Sequence, residues 1–95
     1  MAKKTVPFTE ASIDKLPNDK PVVYKILTGG GRNNYAGVAK RSRVQDRLRE
    51  HLPGGQDPIP GKKIQIEQMP SIKDAKAKEG RVIKRSQPPY NQRGK

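Results

Sequence analysis

Two tyrosines, an arginine, a histidine and a glutamate in this chain are the side-chain types that could together attack a phosphate ester. Tyr24 and Tyr35 lie in short runs typical of strands, and Arg47 and His51 stand four residues apart in a run typical of a helix. Glu79 follows in a second helical run. A guanidinium holds phosphate oxygens, an imidazole takes up a proton, and a carboxylate binds a divalent cation. The set is therefore suited to phosphodiester hydrolysis.

Glu79 is the least expected of these side chains, because it falls on the apolar face of its helix. At about 100° per residue it lies near the centre of the stripe formed by Ile72, Ala75, Val82 and Ile83. A carboxylate that faces a core is costly unless it is paired, hydrogen-bonded or bound to a metal ion. From this feature alone, a buried ion pair and a metal ligand are equally good interpretations.

Each of the other candidates also has an ordinary explanation when it is taken alone. Arg47 and His51 share one helix face at the border between core and solvent, where surface roles are common. Tyrosines on strands are more often packing residues with a bonded hydroxyl. A free tyrosine, with a pKa near ~10, is a poor base at neutral pH unless cations such as Lys40 and Arg47 lower that pKa.

The elements that must position these residues are indicated by apolar periodicity and by turn residues. Three helices and three strands are expected, with helices at residues 8–16, from 42 or 43 to 52, and 72–85, and strands at 22–27, 35–39 and 62–68. Thr9 and Ser71 are the expected N-caps of the first and last helices. Gly37 indicates a bulge or the close approach of another backbone. Residues from 86 onward are expected to form an extended tail.

The strand at residues 22–27 carries apolar residues on both faces, which predicts a central strand covered on both sides. The chain has 95 residues and 31% hydrophobic residues, enough for one small domain with a thin core. It has no cysteine, which excludes disulfides and cysteine-based zinc sites.

A net charge of +12 makes nucleic acid the leading partner. A membrane surface is a poorer candidate, because the sequence has no long apolar stretch, and without an export signal we expect a cytoplasmic protein. The cations expected to contact nucleic acid are Lys40, Arg41, Arg43, Lys84 and Arg85.

The order and context of the candidate residues resemble the GIY-YIG nuclease family over about residues 16–91. The first motif of that family matches Val22-Val23-Tyr24, the second matches Tyr35-Ala36-Gly37, and the helix that follows carries Arg47. The family glutamate resembles Glu79, and the closing element resembles Pro88-Pro89-Tyr90-Asn91. The chain departs from the family pattern at Val22, where a glycine is usual, and at Ala36.

The resemblance implies an α+β fold, with a small three-stranded antiparallel sheet flanked by helices. Residues 1–20 would form an N-terminal segment with a short helix, residues 21–91 the nuclease domain, and residues 92–95 a basic tail. It also implies an endonuclease that cuts DNA, with RNA as the alternative substrate. Because the chain has no separate recognition module, specificity is expected to come from a protein partner, from a homodimer or from DNA shape.

Residue by residue, the resemblance implies that Glu79 is the sole protein ligand of a Mg²⁺ or Mn²⁺ ion and that Arg47 clamps the phosphate. Tyr24 would be the general base, helped by His51. Tyr35 and Asn91 would position the phosphate, the water or the metal ligand. The alternatives are a non-catalytic nucleic-acid-binding module of the same fold and a basic protein that wraps RNA.

Overall fold

The structure, a computed structural model, describes residues 3–91, and for Asn91 it describes only the backbone. Within this range the chain folds into a four-stranded antiparallel sheet with three α-helices, an α+β fold. In chain order the elements are β1 (Lys3–Pro7), α1 (Glu10–Asp14), β2 (Val22–Leu27), β3 (Asn33–Ala39), α2 (Val44–Glu50), β4 (Lys63–Gln68), α3 (Ile72–Ser86) and a 3₁₀ turn (Pro89–Asn91).

The sheet has one strand more than the three that were expected. Its order is β1-β4-β2-β3, and β1 pairs with β4 along its whole length, from Lys3 opposite Glu67 to Pro7 opposite Lys63. The sequence pattern missed β1 because Val6 is its only partly buried residue. Lysines and a proline are typical of edge strands, where they discourage pairing with a further chain. The expectation of a three-stranded sheet is therefore wrong.

The central position of β2 is confirmed, because it pairs with β4 on one side and with β3 on the other. Its side chains alternate between two clusters, as a strand covered on both faces requires. Val22, Tyr24 and Ile26 pack in the larger cluster, with α1, α2 and the loop that follows α2. Val23 packs in the smaller cluster with Ala75 of α3. Thus α1 and α2 cover one face of the sheet, and α3 covers the other.

The first and last helices begin where the sequence places their caps. Thr9 Oγ1 accepts a hydrogen bond from the Ser12 amide at 3.2 Å, and Ser71 Oγ accepts one from the Asp74 amide, also at 3.2 Å. α3 ends at Gln87, which adopts the left-handed conformation at φ 45°. The chain then makes the 3₁₀ turn, so the extended tail expected from residue 86 onward is wrong over residues 89–91. In the part of the chain that is described, no helix combines the length and the apolar character needed to cross a bilayer.

Gly37 of β3 stands directly opposite Tyr24 of β2. A methyl group at Gly37 would lie 2.5 Å from both the Cζ and the hydroxyl oxygen of Tyr24, far closer than carbon and oxygen atoms can approach. The glycine is therefore required by the tyrosine ring that lies over it, and not by another backbone. The expected bulge at Gly37 is wrong as well, because the irregularity in the β2–β3 register falls between Ile26 and Leu27.

We expect Gly37→Ala to lower the free energy of unfolding by about 1–3 kcal/mol, because the Tyr24 ring must leave its position over β3. The matched control is Gly80→Ala in α3, where an added methyl group meets no atom within 4 Å. That variant should gain about 0.5–1 kcal/mol, as a helix gains when glycine becomes alanine. Urea unfolding followed by circular dichroism measures both, and a Gly37→Ala variant as stable as the wild type would contradict the packing argument.

Candidate active site

A buried hydrogen bond joins the centre of the sheet to the end of α2. The Tyr24 hydroxyl lies 2.7 Å from His51 Nε2, and the two residues are 0% and 1% exposed. Tyr24 reaches this position because its side chain projects from β2 across Gly37 toward α2. His51 reaches it because it is the C-cap of α2, directly after the last helical residue.

The second nitrogen of the imidazole fixes which atom carries the proton. His51 Nδ1 lies 2.9 Å from the backbone carbonyl oxygen of Asp57, which can only accept a hydrogen bond. The network therefore assigns the hydrogen to Nδ1, and Nε2 is left as an acceptor for the Tyr24 hydroxyl. The loop that supplies the carbonyl folds back on α2 through two further bonds, from the Asp57 amide to Glu50 O and from the Ile59 amide to His51 O.

His51 is neutral at physiological pH. Burial lowers the pKa of its imidazole below the usual value, and the hydrogen bond to Asp57 only partly offsets this effect. Nearby Arg47 lowers the same pKa further. A neutral imidazole with a free lone pair on Nε2 is the state that can take a proton from a phenol.

The two phenols differ in their access to solvent. Burial raises the pKa of Tyr24 far above its ordinary value, and the neighbouring Tyr35 raises it further, whereas Arg47 opposes the shift. Burial also raises the pKa of Tyr35, but this side chain is only partly buried. The Tyr35 ring centroid lies 6.2 Å from that of Tyr24 and 4.9 Å from that of His51.

Arg47 projects from α2 toward both phenols and toward solvent. Its guanidinium donates a hydrogen bond to Glu50 Oε1 at 3.1 Å, and its side chain is 40% exposed. Burial lowers the pKa of Arg47, but Tyr24, Glu50 and Tyr35 together hold it above its usual value. Arg47 also lines an open cleft of about 490 Å³ that includes Lys40 and Arg43. Three cations around one cleft form a site for an oxyanion.

Glu79 lies on α3, whose apolar side chains pack on the sheet face opposite to Tyr24. It is nevertheless close enough for its charge to raise the pKa of both Tyr24 and Tyr35. This is possible because α3 packs along β3, the edge strand that also carries Tyr35. The Glu79 side chain is partly buried, as its place on the apolar stripe predicts.

The structure brings together four of the six predicted catalytic residues, Tyr24, Tyr35, Arg47 and His51, on one face of the sheet. The fifth, Glu79, is on the helix that covers the other face and acts on the two phenols through its charge. The sixth is Asn91, and its side chain lies outside the described residues. Among the predicted nucleic-acid contacts, Lys40 and Arg43 line the cleft beside Arg47. The other three are exposed, Arg41 in the turn before α2 and Lys84 with Arg85 at the end of α3.

Four residues contribute to the site without having been predicted for it. The Asp57 carbonyl orients His51, Glu50 holds Arg47, and Gly37 makes room for Tyr24. Asn18 caps α2 from a distance, since its Oδ1 accepts the Val44 amide at 2.8 Å and its carbonyl accepts the Ser42 amide at 2.8 Å. Only Gly37 gave a signal in the sequence. The others act through contacts between distant segments or through backbone atoms.

Comparison of the chain with protein-family models, with curated proteins and with solved structures found no match. The chemistry of the site must therefore be inferred from its own geometry. Within residues 3–91 no group of three or more histidine, aspartate or glutamate side chains is arranged to hold a metal ion. A divalent cation here would rely on Glu79 together with water and substrate oxygens, an arrangement that Mg²⁺ commonly accepts.

We expect the stability of the protein to fall as pH drops below about 6.5, the usual pKa of an unfolded histidine. The folded state holds the pKa of His51 lower, so the unfolded state binds the proton first and gains from acidification. The loss should begin near that pH and continue until the lowered pKa of the folded state is passed. Urea midpoints at intervals between pH 8 and pH 5 measure it.

His51→Gln is the matched control, because a glutamine carbonyl still accepts the Tyr24 hydroxyl but does not titrate. The chain contains one histidine, so this variant should lose the pH dependence in that window. Identical pH profiles for the variant and the wild type would contradict the assigned state of His51.

Proposed function

We propose that the chain is a metal-dependent endonuclease of the GIY-YIG type that cuts phosphodiester bonds in DNA. The observation that carries the proposal is the buried hydrogen bond from the Tyr24 hydroxyl to a neutral His51 Nε2 at 2.7 Å. Beside it lie a second phenol and an exposed guanidinium, supplied by β3 and α2, and the charge of the Glu79 carboxylate on α3 acts on both phenols.

The two phenols and the imidazole support a single proton path. Tyr24 has too high a pKa to exist as a free phenolate, so it can act as a base only while it passes its own proton to His51. Tyr35 stands at the solvent end of this path, because it is partly exposed and close to both other side chains. The proton of the attacking water would enter through Tyr35 or, after a local opening, directly through Tyr24.

Arg47 and the cleft beside it suit the scissile phosphate. The charge of the guanidinium acts on both phenols, and Arg47 also lines the open cleft, where Lys40 and Arg43 add positive charge. Positive groups that are already in place stabilise the charge that develops on phosphoryl oxygens. Glu50 holds Arg47 in this position through the ion pair at 3.1 Å.

Glu79 is the proposed ligand of a Mg²⁺ or Mn²⁺ ion. Its charge acts on both phenols, so a cation held there would lie near the proton path. When bound, such an ion polarises the phosphate and makes water more acidic. The excess of positive charge over the whole chain, +12, would supply sequence-independent affinity for DNA.

A non-catalytic nucleic-acid-binding module of the same fold is the second candidate. The exposures of 0% for Tyr24 and 1% for His51 favour it, because a purely structural hydrogen bond is buried in the same way. This candidate predicts binding that weakens with salt, needs no divalent cation and never leads to cleavage. The two candidates are separated by activity alone.

The first test is nicking of supercoiled plasmid with Mg²⁺ or Mn²⁺ by the wild type and by Glu79→Gln. We expect cleavage by the wild type and a loss of at least about 10²-fold in the variant, because the proposed metal ligand is removed. Asp74→Asn is the matched control, an exposed carboxylate on the same helix, and should cleave like the wild type. Intact plasmid with the wild type, or equal cleavage by Glu79→Gln, would refute the proposal.

The second test asks whether Tyr24 and Tyr35 belong to one proton path. Tyr24→Phe and Tyr35→Phe should each slow cleavage by about 10²- to 10⁴-fold, the usual range for an acid–base group. If the phenols act in series, the double variant should be about as slow as the slower single variant. Single-turnover rates measure this, and losses that multiply in the double variant would indicate two independent roles.

A further inference from the structure

A second concave region lies on the sheet face opposite to Tyr24. Lys25 follows Tyr24 on β2, so its side chain projects from the other face. There it lines a cavity of about 480 Å³ together with Arg32 and Asn33 of the β2–β3 hairpin and Gln65 of β4. The end of α3 closes one side of this cavity with Ser86 and Gln87.

The cavity holds an excess of positive charge. Burial lowers the pKa of the Lys25 ammonium group, and the charges of Lys3, Lys78 and Arg85 lower it further. Glu67 is the opposing charge, but it already pairs with Lys78 at 3.6 Å. Lys25 itself makes no ion pair with any residue in the described part of the chain.

The polar groups of the cavity wall favour an acceptor-rich ligand. Asn33 Oδ1 accepts the Tyr35 amide at 3.2 Å, which fixes the orientation of the side-chain amide. Its Nδ2 is buried and has no hydrogen-bond partner within residues 3–91. Aromatic side chains do not line the cavity within these residues, so no aromatic ring there would stack on a base.

We propose that this cavity, formed by Lys25, Arg32, Asn33 and Gln65, is a second nucleic-acid-binding site that holds backbone phosphates. The proposal goes beyond the proposed nuclease function and does not require catalysis. Tyr24 and Lys25 project from opposite faces of one sheet, so the two sites face different segments of nucleic acid. A cavity that offers cations and amides but no aromatic ring would bind without sequence preference.

The test is the salt dependence of binding to a labelled DNA duplex of arbitrary sequence, measured in EDTA so that cleavage plays no part. Each phosphate contact that is lost should make the slope of log K against log salt shallower by about 1. Removal of both cations in Lys25→Gln/Arg32→Gln should therefore make the slope shallower by about 2. Circular dichroism establishes that the variants are folded.

The matched control is Lys15→Gln/Lys20→Gln, which makes the same change in net charge at two exposed lysines before β2. We expect this pair to leave the slope near the wild-type value. An equal change in both double variants would overturn the proposal in favour of a general charge effect, and so would an unchanged slope in Lys25→Gln/Arg32→Gln.

A variant that adds positive charge tests the proposal independently. Ser86→Lys adds a cation at the exposed rim of the cavity and should make the slope steeper by about 1.

Poly-glutamate serves as a probe for an acidic protein partner. If it binds through Lys25 and Arg32 while duplex DNA does not, the proposal is overturned. Because all arms measure binding without a divalent cation, a failure of the nuclease proposal would leave them interpretable.

Discussion

The hydrogen bond from Tyr24 to His51 holds together the parts of the structure on which any chemistry depends. It links the central strand to the end of α2, and His51 Nδ1 extends the link to the Asp57 carbonyl in the following loop. A buried donor or acceptor without a partner costs about 1–3 kcal/mol. Each of these hydrogen-bonded groups therefore holds the next one in place. Burial lowers the pKa of the His51 imidazole, the hydrogen bond to Asp57 only partly offsets this effect, and the same hydrogen bond leaves Nε2 as the acceptor. The contacts that stabilise this region therefore also fix which nitrogen can accept a proton.

A carboxylate from one face of the sheet acts through its charge on phenols from the other face. α1 and α2 pack on the Tyr24 face and α3 on the Lys25 face, so direct contact across the middle of the sheet is impossible. At β3 the sheet ends, and α3 packs along this strand. The charge of Glu79 is felt there by both tyrosines.

Much of the fold could be predicted from local patterns, and the remainder depends on contacts between distant segments. β2 is rich in valine and isoleucine, β4 carries two isoleucines at alternate positions, and α3 has a serine cap and a regular apolar stripe. These elements are therefore predicted within a residue or two. β1 was not predicted, because an edge strand of lysine and threonine has no apolar alternation. The clustering of Tyr24, Tyr35 and Arg47 was anticipated only through a family resemblance. The carbonyl that orients His51 belongs to the backbone, so no residue type in the sequence indicates this contact.

Positive charge is distributed over this protein in two distinct environments. Arg47 is partly neutralised by Glu50, and its pKa stays above the usual value, so it remains a cation near the phenols at any pH of interest. Lys25 is held among like charges, and its pKa is lowered by burial and by those neighbours. The protein itself stabilises the charge of Arg47, whereas the charge of Lys25 is destabilised unless an anion binds. Binding of a polyanion should therefore relieve more repulsion around Lys25 than around Arg47, because only the former lacks a carboxylate partner among the described residues.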